Sequence, residues 1–309
     1  MKLAVCSRTL SNDQSFIDKL ENLDVVVRRN LAGTTLEGAE LVEFLQDMDG
    51  AVIGLEELNA DIIDQVNLSV VFKYGVGFDA VDLDALAKNE ISFYIGQALN
   101  QNAVAELAVA SMLNGCRLLP AQYRSTANRV WLPGGGVDLA SRTVGVIGVG
   151  NIGSRVIHIL ESLGSRVVAY DIDVSKVKRY KSSPQVKVAT SVLEVIECCD
   201  IVTLHTPLTS ETRNLIDKNL ARAFRKNSIL INTARAHLIS PEAIETFRIW
   251  RDDMQLFLDV FEGEPNIGAL YTNENFFLTC HIGGSTQQAK QSMTDFVLNS
   301  IERYVSETG

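Results

Sequence analysis

Three glycines, Gly148, Gly150 and Gly153, stand in the spacing G-x-G-x-x-G, and Asp171 follows 18 positions after the last of them (171 − 153). In such a set the first glycine permits a tight turn, the second lets backbone approach a pyrophosphate, and the third lets a helix pack closely on a strand. The helix that follows points free N–H groups and the positive end of its dipole at the phosphates. A carboxylate at Asp171 suits a ribose diol and repels a 2′-phosphate, which favours NAD over NADP. Asp173 adds to that repulsion, and no Arg or Lys follows until Lys176. Glycines also make ordinary turns, so the flanking elements decide the reading. Thr143 to Ile147 reads as a buried strand. Ile152, Val156, Ile159, Leu160 and Leu163 recur at helical spacing, and Ser165 to Tyr170 reads as a second strand ending at Asp171.

Three titratable residues, Arg235, Glu264 and His281, lie near the ends of later apolar runs. Their separations of 29 (264 − 235) and 17 (281 − 264) are too large for one helix face, so only a fold brings them together. Taken singly, each also has a plain structural reading: surface charge for an Arg past a strand, a satisfied structural group for an isolated His. The stretch Lys73-Tyr74-Gly75-Val76-Gly77-Phe78-Asp79 is similarly two-sided. Its glycines either present backbone N–H groups to an anion or form a tight turn closed by an Asp cap. Lys73 is a solvated charge or a ligand anchor on equal terms.

The elements that must position these residues alternate throughout. Up to about residue 98, strand candidates (Leu3 to Cys6, Val25 to Val27, Gly50 to Gly54, Val70 to Tyr74, Ile91 to Ile95) interleave with helical patterns. That alternation implies a parallel sheet covered by helices on both faces. Asn100 to Cys116 is helical and small-sided, fit for packing between helices. Pro120 to Arg142, with Trp131 and the Gly134-Gly135-Gly136 run, reads as a surface excursion, and no strand precedes its glycines as a phosphate loop requires. Beyond Asp171, His205-Thr206-Pro207, Asn232-Thr233-Ala234-Arg235, Asp259 and Cys280-His281-Ile282-Gly283-Gly284 each sit just past an apolar strand. In a doubly wound sheet all of them converge on one edge.

A length of 309 residues predicts about two domains, and 46% hydrophobic residues suffice for packed cores. The net charge of −10 disfavours nucleic acid and anionic membrane as partners. No apolar run approaches a membrane span of roughly 18 residues. The first residues read as a strand rather than a signal peptide. Five scattered cysteines fit a reducing cytoplasm. Adjacent Cys198 and Cys199 match no zinc spacing, and no metal site is expected.

The segments GVGNIG, LHTPLTSETRNLI, INTARAHLI, LDVFEGEP and HIGGSTQQA, in this order, resemble the signature segments of the D-isomer-specific 2-hydroxyacid dehydrogenases. KYGVGFDAVD and NAVAEL resemble that family's substrate loop and hinge helix, and the ending HIGGSTQQA is most like the phosphoglycerate dehydrogenase branch. The resemblance implies two doubly wound α/β domains, with a Rossmann NAD-binding domain (99–284) inserted into a discontinuous flavodoxin-like substrate domain (1–98 and 285–309). It implies a cleft that closes on a hinge, and a homodimer formed through the NAD domain. It assigns Arg235, Glu264 and His281 as the catalytic set. Gly148, Gly150, Asn151, Ile152, Gly153, Asp171, Thr206, Pro207, Thr233, Ala234, Asp259 and Gly283 fall where the family touches the cofactor. Val76 and Gly77, with Lys73 and Asn100, fall on the substrate side. The partner implied is a small 2-hydroxy or 2-oxo acid, with 3-phosphoglycerate first and hydroxypyruvate or glyoxylate close behind.

Three departures from the family's pattern stand out. Ala236-His237 replaces Gly-Gly after Arg235, Leu256 and Phe257 replace small residues before Asp259, and the Pro before the hinge helix is missing from Gly96-Gln97-Ala98-Leu99-Asn100. No regulatory domain of the kind in longer phosphoglycerate dehydrogenases is expected. The rival readings are an NAD-responsive corepressor-like binding protein on the same fold and an inactive paralogue.

Overall fold

The computed structural model describes residues 1–308. It divides into two compact units, Met1–Asn100 with the chain from Gln287 onward, and Gln101–Thr286. Each division lies two residues beyond the place expected from the sequence, because the helices Gln101–Cys116 and Gln287–Thr308 begin there.

The first unit holds five parallel strands, β1 (Lys2–Val5), β2 (Val26–Arg29), β3 (Gly50–Ile53), β4 (Val70–Lys73) and β5 (Ser92–Ile95), in the order β2-β1-β3-β4-β5. This is the flavodoxin-like doubly wound order. Side chains alternate across the sheet. Leu3, Val5, Val70 and Phe72 pack with Phe16, Val297 and Ile301 on one face, while Ala4, Ala51 and Val71 pack with Leu41, Ile63 and Leu86 on the other. Covering both faces is what turns β3, and β4 as far as Phe72, into unbroken apolar runs in the sequence.

In the second unit the strands are β6 (Thr143–Ile147), β7 (Arg166–Tyr170), β8 (Val186–Val188), β9 (Ile201–Leu204), β10 (Ile229–Asn232), β11 (Gln255–Leu258) and β12 (Phe276–Leu278). They run parallel in the order β12-β11-β10-β9-β6-β7-β8, so the chain starts at the middle and winds outward both ways. The topological switch point lies between β6 and β9, where a doubly wound sheet opens a crevice at its carboxyl edge. β8 is short, with one fully buried position, and left no period in the sequence to read.

Pro120 to Arg142 is not wholly irregular. Leu119–Ala127 is a helix with Pro near its first turn, but it buries no residue of its own and so showed no apolar stripe. The family departures are absorbed locally. Ala236 and His237 lie in a 3₁₀ turn, Ala236–Leu238, and neither takes a positive φ. Phe257 is received by a missing side chain: a Cβ on Gly115 would come within 3.0 Å of its ring. The ring lies tilted against Phe277, with centroids 4.7 Å apart.

Candidate active site

The glycine turn follows directly from β6. Gly148 has φ +91°, and a Cβ there would lie 2.6 Å from the His205 carbonyl. A Cβ on Gly153 would collide with the Gly148 carbonyl oxygen, so the helix Asn151–Ser162 packs on the turn as closely as only glycine permits. Gly150 differs: its φ of −76° suits any residue, and a Cβ would meet nothing within 4 Å. Packing therefore does not require Gly150, and the open space above it fits a group approaching the backbone.

Asp171 is buried at the end of β7. Its Oδ2 accepts from the Val149 N–H at 2.7 Å and its Oδ1 from the Asp173 N–H at 2.9 Å. It thus ties the glycine turn to β7. Lys176 Nζ returns to 3.6 Å from Oδ1, a pairing the sequence reading passed over, and it offsets part of the negative charge that opposes a 2′-phosphate.

Along the carboxyl edge, polar atoms stand without partners. Thr206 Oγ1, Thr233 Oγ1 and His205 Nδ1 are closed off from water and make no hydrogen bond. Buried polar atoms left unpaired cost roughly 1–3 kcal/mol each, so the edge carries three polar atoms whose hydrogen-bonding capacity the described residues do not use. His205 is held by Thr203 Oγ1 at 2.9 Å on Nε2, and burial pushes its imidazole down to about 3.

β10, β11 and β12 are consecutive neighbours, with Asn232, Leu258 and Leu278 in register. Their ends deliver the three titratable residues. Asn232, fully buried, shapes the first loop: its side chain accepts from Ala234 N–H at 3.0 Å and donates to the Arg235 carbonyl at 2.8 Å. Arg235 is half-buried and donates to the Ala234 carbonyl at 2.8 Å, among other partners. Asp259 shapes the last loop. Its carboxylate accepts from Thr279 Oγ1 at 2.5 Å and from the N–H groups of Ile282 and Gly283 at 2.8 Å. That clamp supports His281 in a left-handed conformation, φ +52°, which a side-chain-bearing residue adopts at a cost. Glu264 meets His281 there. Its Oε2 lies 2.8 Å from His281 Nδ1 while its Oε1 accepts from the Phe261 N–H at 2.8 Å. With Nδ1 engaged, Nε2 is the nitrogen left for proton exchange.

Sequence reasoning placed His205 and Asn232 at strand ends without giving either a role, and it passed over Thr279. Their common signal is a polar residue at or next to the end of an apolar strand.

On the first unit, Val76 and Gly77 are half-buried in the loop after β4, and among the described residues neither N–H finds an acceptor in the chain. Lys73 is 6% exposed, and its ammonium donates to the Gly54 carbonyl, so it is not a solvated charge. Asn100 keeps its Oδ1 buried and unpartnered.

The doubly wound sheets and the glycine turn define a dinucleotide-binding α/β protein. Residues 109–283 match the model of the D-isomer specific 2-hydroxyacid dehydrogenase NAD binding domain. The chain is 30% identical over 301 residues to a D-3-phosphoglycerate dehydrogenase of Methanocaldococcus jannaschii, covering 96% of this chain and 57% of that protein. It is 28% identical to a hydroxypyruvate reductase of Thermotoga maritima, covering 89% of each. It thus spans only about half the length of the Methanocaldococcus relative. A D-lactate dehydrogenase structure from Aquifex aeolicus superposes with a TM-score of 0.84 over 99% of this chain and 96% of that one, at 21% identity, a likeness of fold. The chain belongs to the D-isomer-specific 2-hydroxyacid dehydrogenase family, and its second unit carries that family's NAD binding domain.

Proposed function

We propose that this chain is an NAD-dependent oxidoreductase that interconverts a short D-2-hydroxy acid and its 2-oxo acid. The observation that carries the reading is the His281–Glu264 pair, with His281 held in a left-handed conformation beside the Asp259 clamp. NAD, when bound, accepts or supplies the hydride. Arg235 binds the substrate carboxylate and polarises the carbonyl while staying charged. His281 gives a proton from Nε2 to the carbonyl oxygen during reduction and takes it back during oxidation. Glu264 orients the ring through its contact with Nδ1 at 2.8 Å. On the first unit, the N–H groups of Val76 and Gly77 and the Asn100 side chain are the substrate-side groups of this reading. Asn151, Ile152, Asp171, Thr206, Pro207, Thr233, Ala234, Asp259 and Gly283 hold the dinucleotide.

The relatives' names bring 3-phosphoglycerate and hydroxypyruvate forward as substrates. Lys73 is the residue proposed to meet a distal phosphate; its ammonium has three donors, one of them on the Gly54 carbonyl. Unphosphorylated acids such as hydroxypyruvate or glyoxylate are the second reading. NADH oxidation by the purified protein across 3-phosphohydroxypyruvate, hydroxypyruvate, glyoxylate and pyruvate, with NADPH as control, tests both points. One strongly preferred acid is the expected result. No turnover across the panel, with NADH still bound, would overturn the reading.

The reading extends to a homodimer in a reducing cytoplasm. All five cysteines are free thiols. The segment after Leu118 exposes Tyr123 (64%), Val130 (55%), Trp131 (87%) and Leu132 (49%), an apolar surface suited to a second copy.

A further inference from the structure

The helix Asn151–Ser162 buries Gly153, Val156, Ile157 and Leu160, and its opposite stripe carries chemistry that packing does not use. Arg155 and His158, three residues apart and so neighbours on the helix surface, line an open groove of about 340 Å³ together with Asn151, Ser154, Arg179 and Tyr180. Among the described residues no carboxylate lines it. The one acid of the helix, Glu161, instead accepts from Ser183 Oγ at 2.6 Å. Arg179 is held by stacking, its guanidinium 4.9 Å over the Tyr180 ring. The Arg155 Nε–H is closed off from water and has no acceptor.

Two guanidinium groups gathered without a counter-ion among the described lining residues repel one another. In a chain of net charge −10, whose general field keeps anions away, such a gathering becomes favourable once an anion sits within it. We propose that this groove binds a phosphate-class anion, at a site separate from the dinucleotide's. The planar forks of Arg155 and Arg179 match two faces of a phosphate, and the exposed Asn151 amide adds a neutral donor. Asn151 borders both sites, whereas Arg155, His158 and Arg179 belong to the groove alone, so the two ligands occupy the protein together.

The test is a ³¹P-NMR titration of inorganic phosphate into the wild-type chain at constant ionic strength, repeated with saturating NADH. Saturable binding that persists with NADH present is expected. Arg179→Gln, a change at an exposed residue, and Arg155→Gln with Arg179→Gln should each weaken phosphate binding at least tenfold. NADH binding, followed by fluorescence, should stay unchanged in both and verify folding. Three results would each overturn the proposal: no saturable binding to wild type, displacement of phosphate by NADH, or full affinity in both variants.

Discussion

Arg235 and Glu264 do different work in the proposed chemistry, and their variants should separate accordingly. Arg235→Ala removes the charge that polarises the carbonyl and should lower kcat/KM by roughly 100- to 10,000-fold, as for a lost electrostatic or acid–base partner. NADH binding should persist. Glu264→Gln keeps a hydrogen-bond acceptor for Nδ1 but removes the charge, so its loss should be smaller than that of His281→Asn. The double variant should be no worse than His281→Asn alone, since Glu264 acts through the ring. A multiplicative double effect would separate the two residues. His205 makes a pH prediction. Its folded value of about 3 lies below the ordinary value of about 6.5, so the unfolded chain binds the extra proton between them. The stability this contributes is complete above about pH 6.5 and falls as the pH drops toward 3, by at most about 1.4 kcal/mol per unit. The residue retains some solvent contact, which brings the slope below that ceiling. Melting temperatures of His205→Gln should decline less steeply with acid than wild type, and parallel decline would refute the assignment.

The turn between β6 and its helix makes a prediction in which two glycines part company. Gly153→Ala forces a methyl into the Gly148 carbonyl and should destabilise the chain by about 1–3 kcal/mol, the usual cost of overpacking. Gly150→Ala has room and an ordinary φ, so thermal stability should be unchanged while NADH affinity falls. Loss of stability at Gly150, or none at Gly153, would contradict the division of labour. The strand-end loops show the same logic of backbone control. Asn232 and Asp259 spend their side chains on neighbouring N–H and C=O groups, and the residues they aim are Arg235 and His281.

Of the whole molecule, the exposed apolar segment around Trp131 makes the sharpest demand. The helix Leu119–Ala127 buries nothing within its own chain, and Trp131 is 87% exposed. If a second copy covers this surface, light scattering at micromolar concentration should give a dimer, and Trp131→Glu should shift it toward monomer without lowering NADH affinity. A wild-type monomer would remove the dimer from the proposal. None of the helices among the described residues is long and apolar enough to cross a membrane.

Most of the fold was legible in the sequence, because strands covered on both faces become short Val- and Ile-rich runs, and a glycine turn between strand and helix has few other uses. The strand-end placement of Arg235, Glu264 and His281 was legible for the same reason, and the roles proposed for them rest on the family's motifs. β8 and the Leu119–Ala127 helix were not, since one is too short and the other too exposed to leave a hydrophobic period. Side-chain pairings also lay beyond the sequence. That Lys73 turns inward to Gly54, that Lys176 folds back on Asp171, and that Asp259 supports a strained His281 are outcomes of distance and burial. Composition and spacing carry neither, so only the tertiary structure decided them.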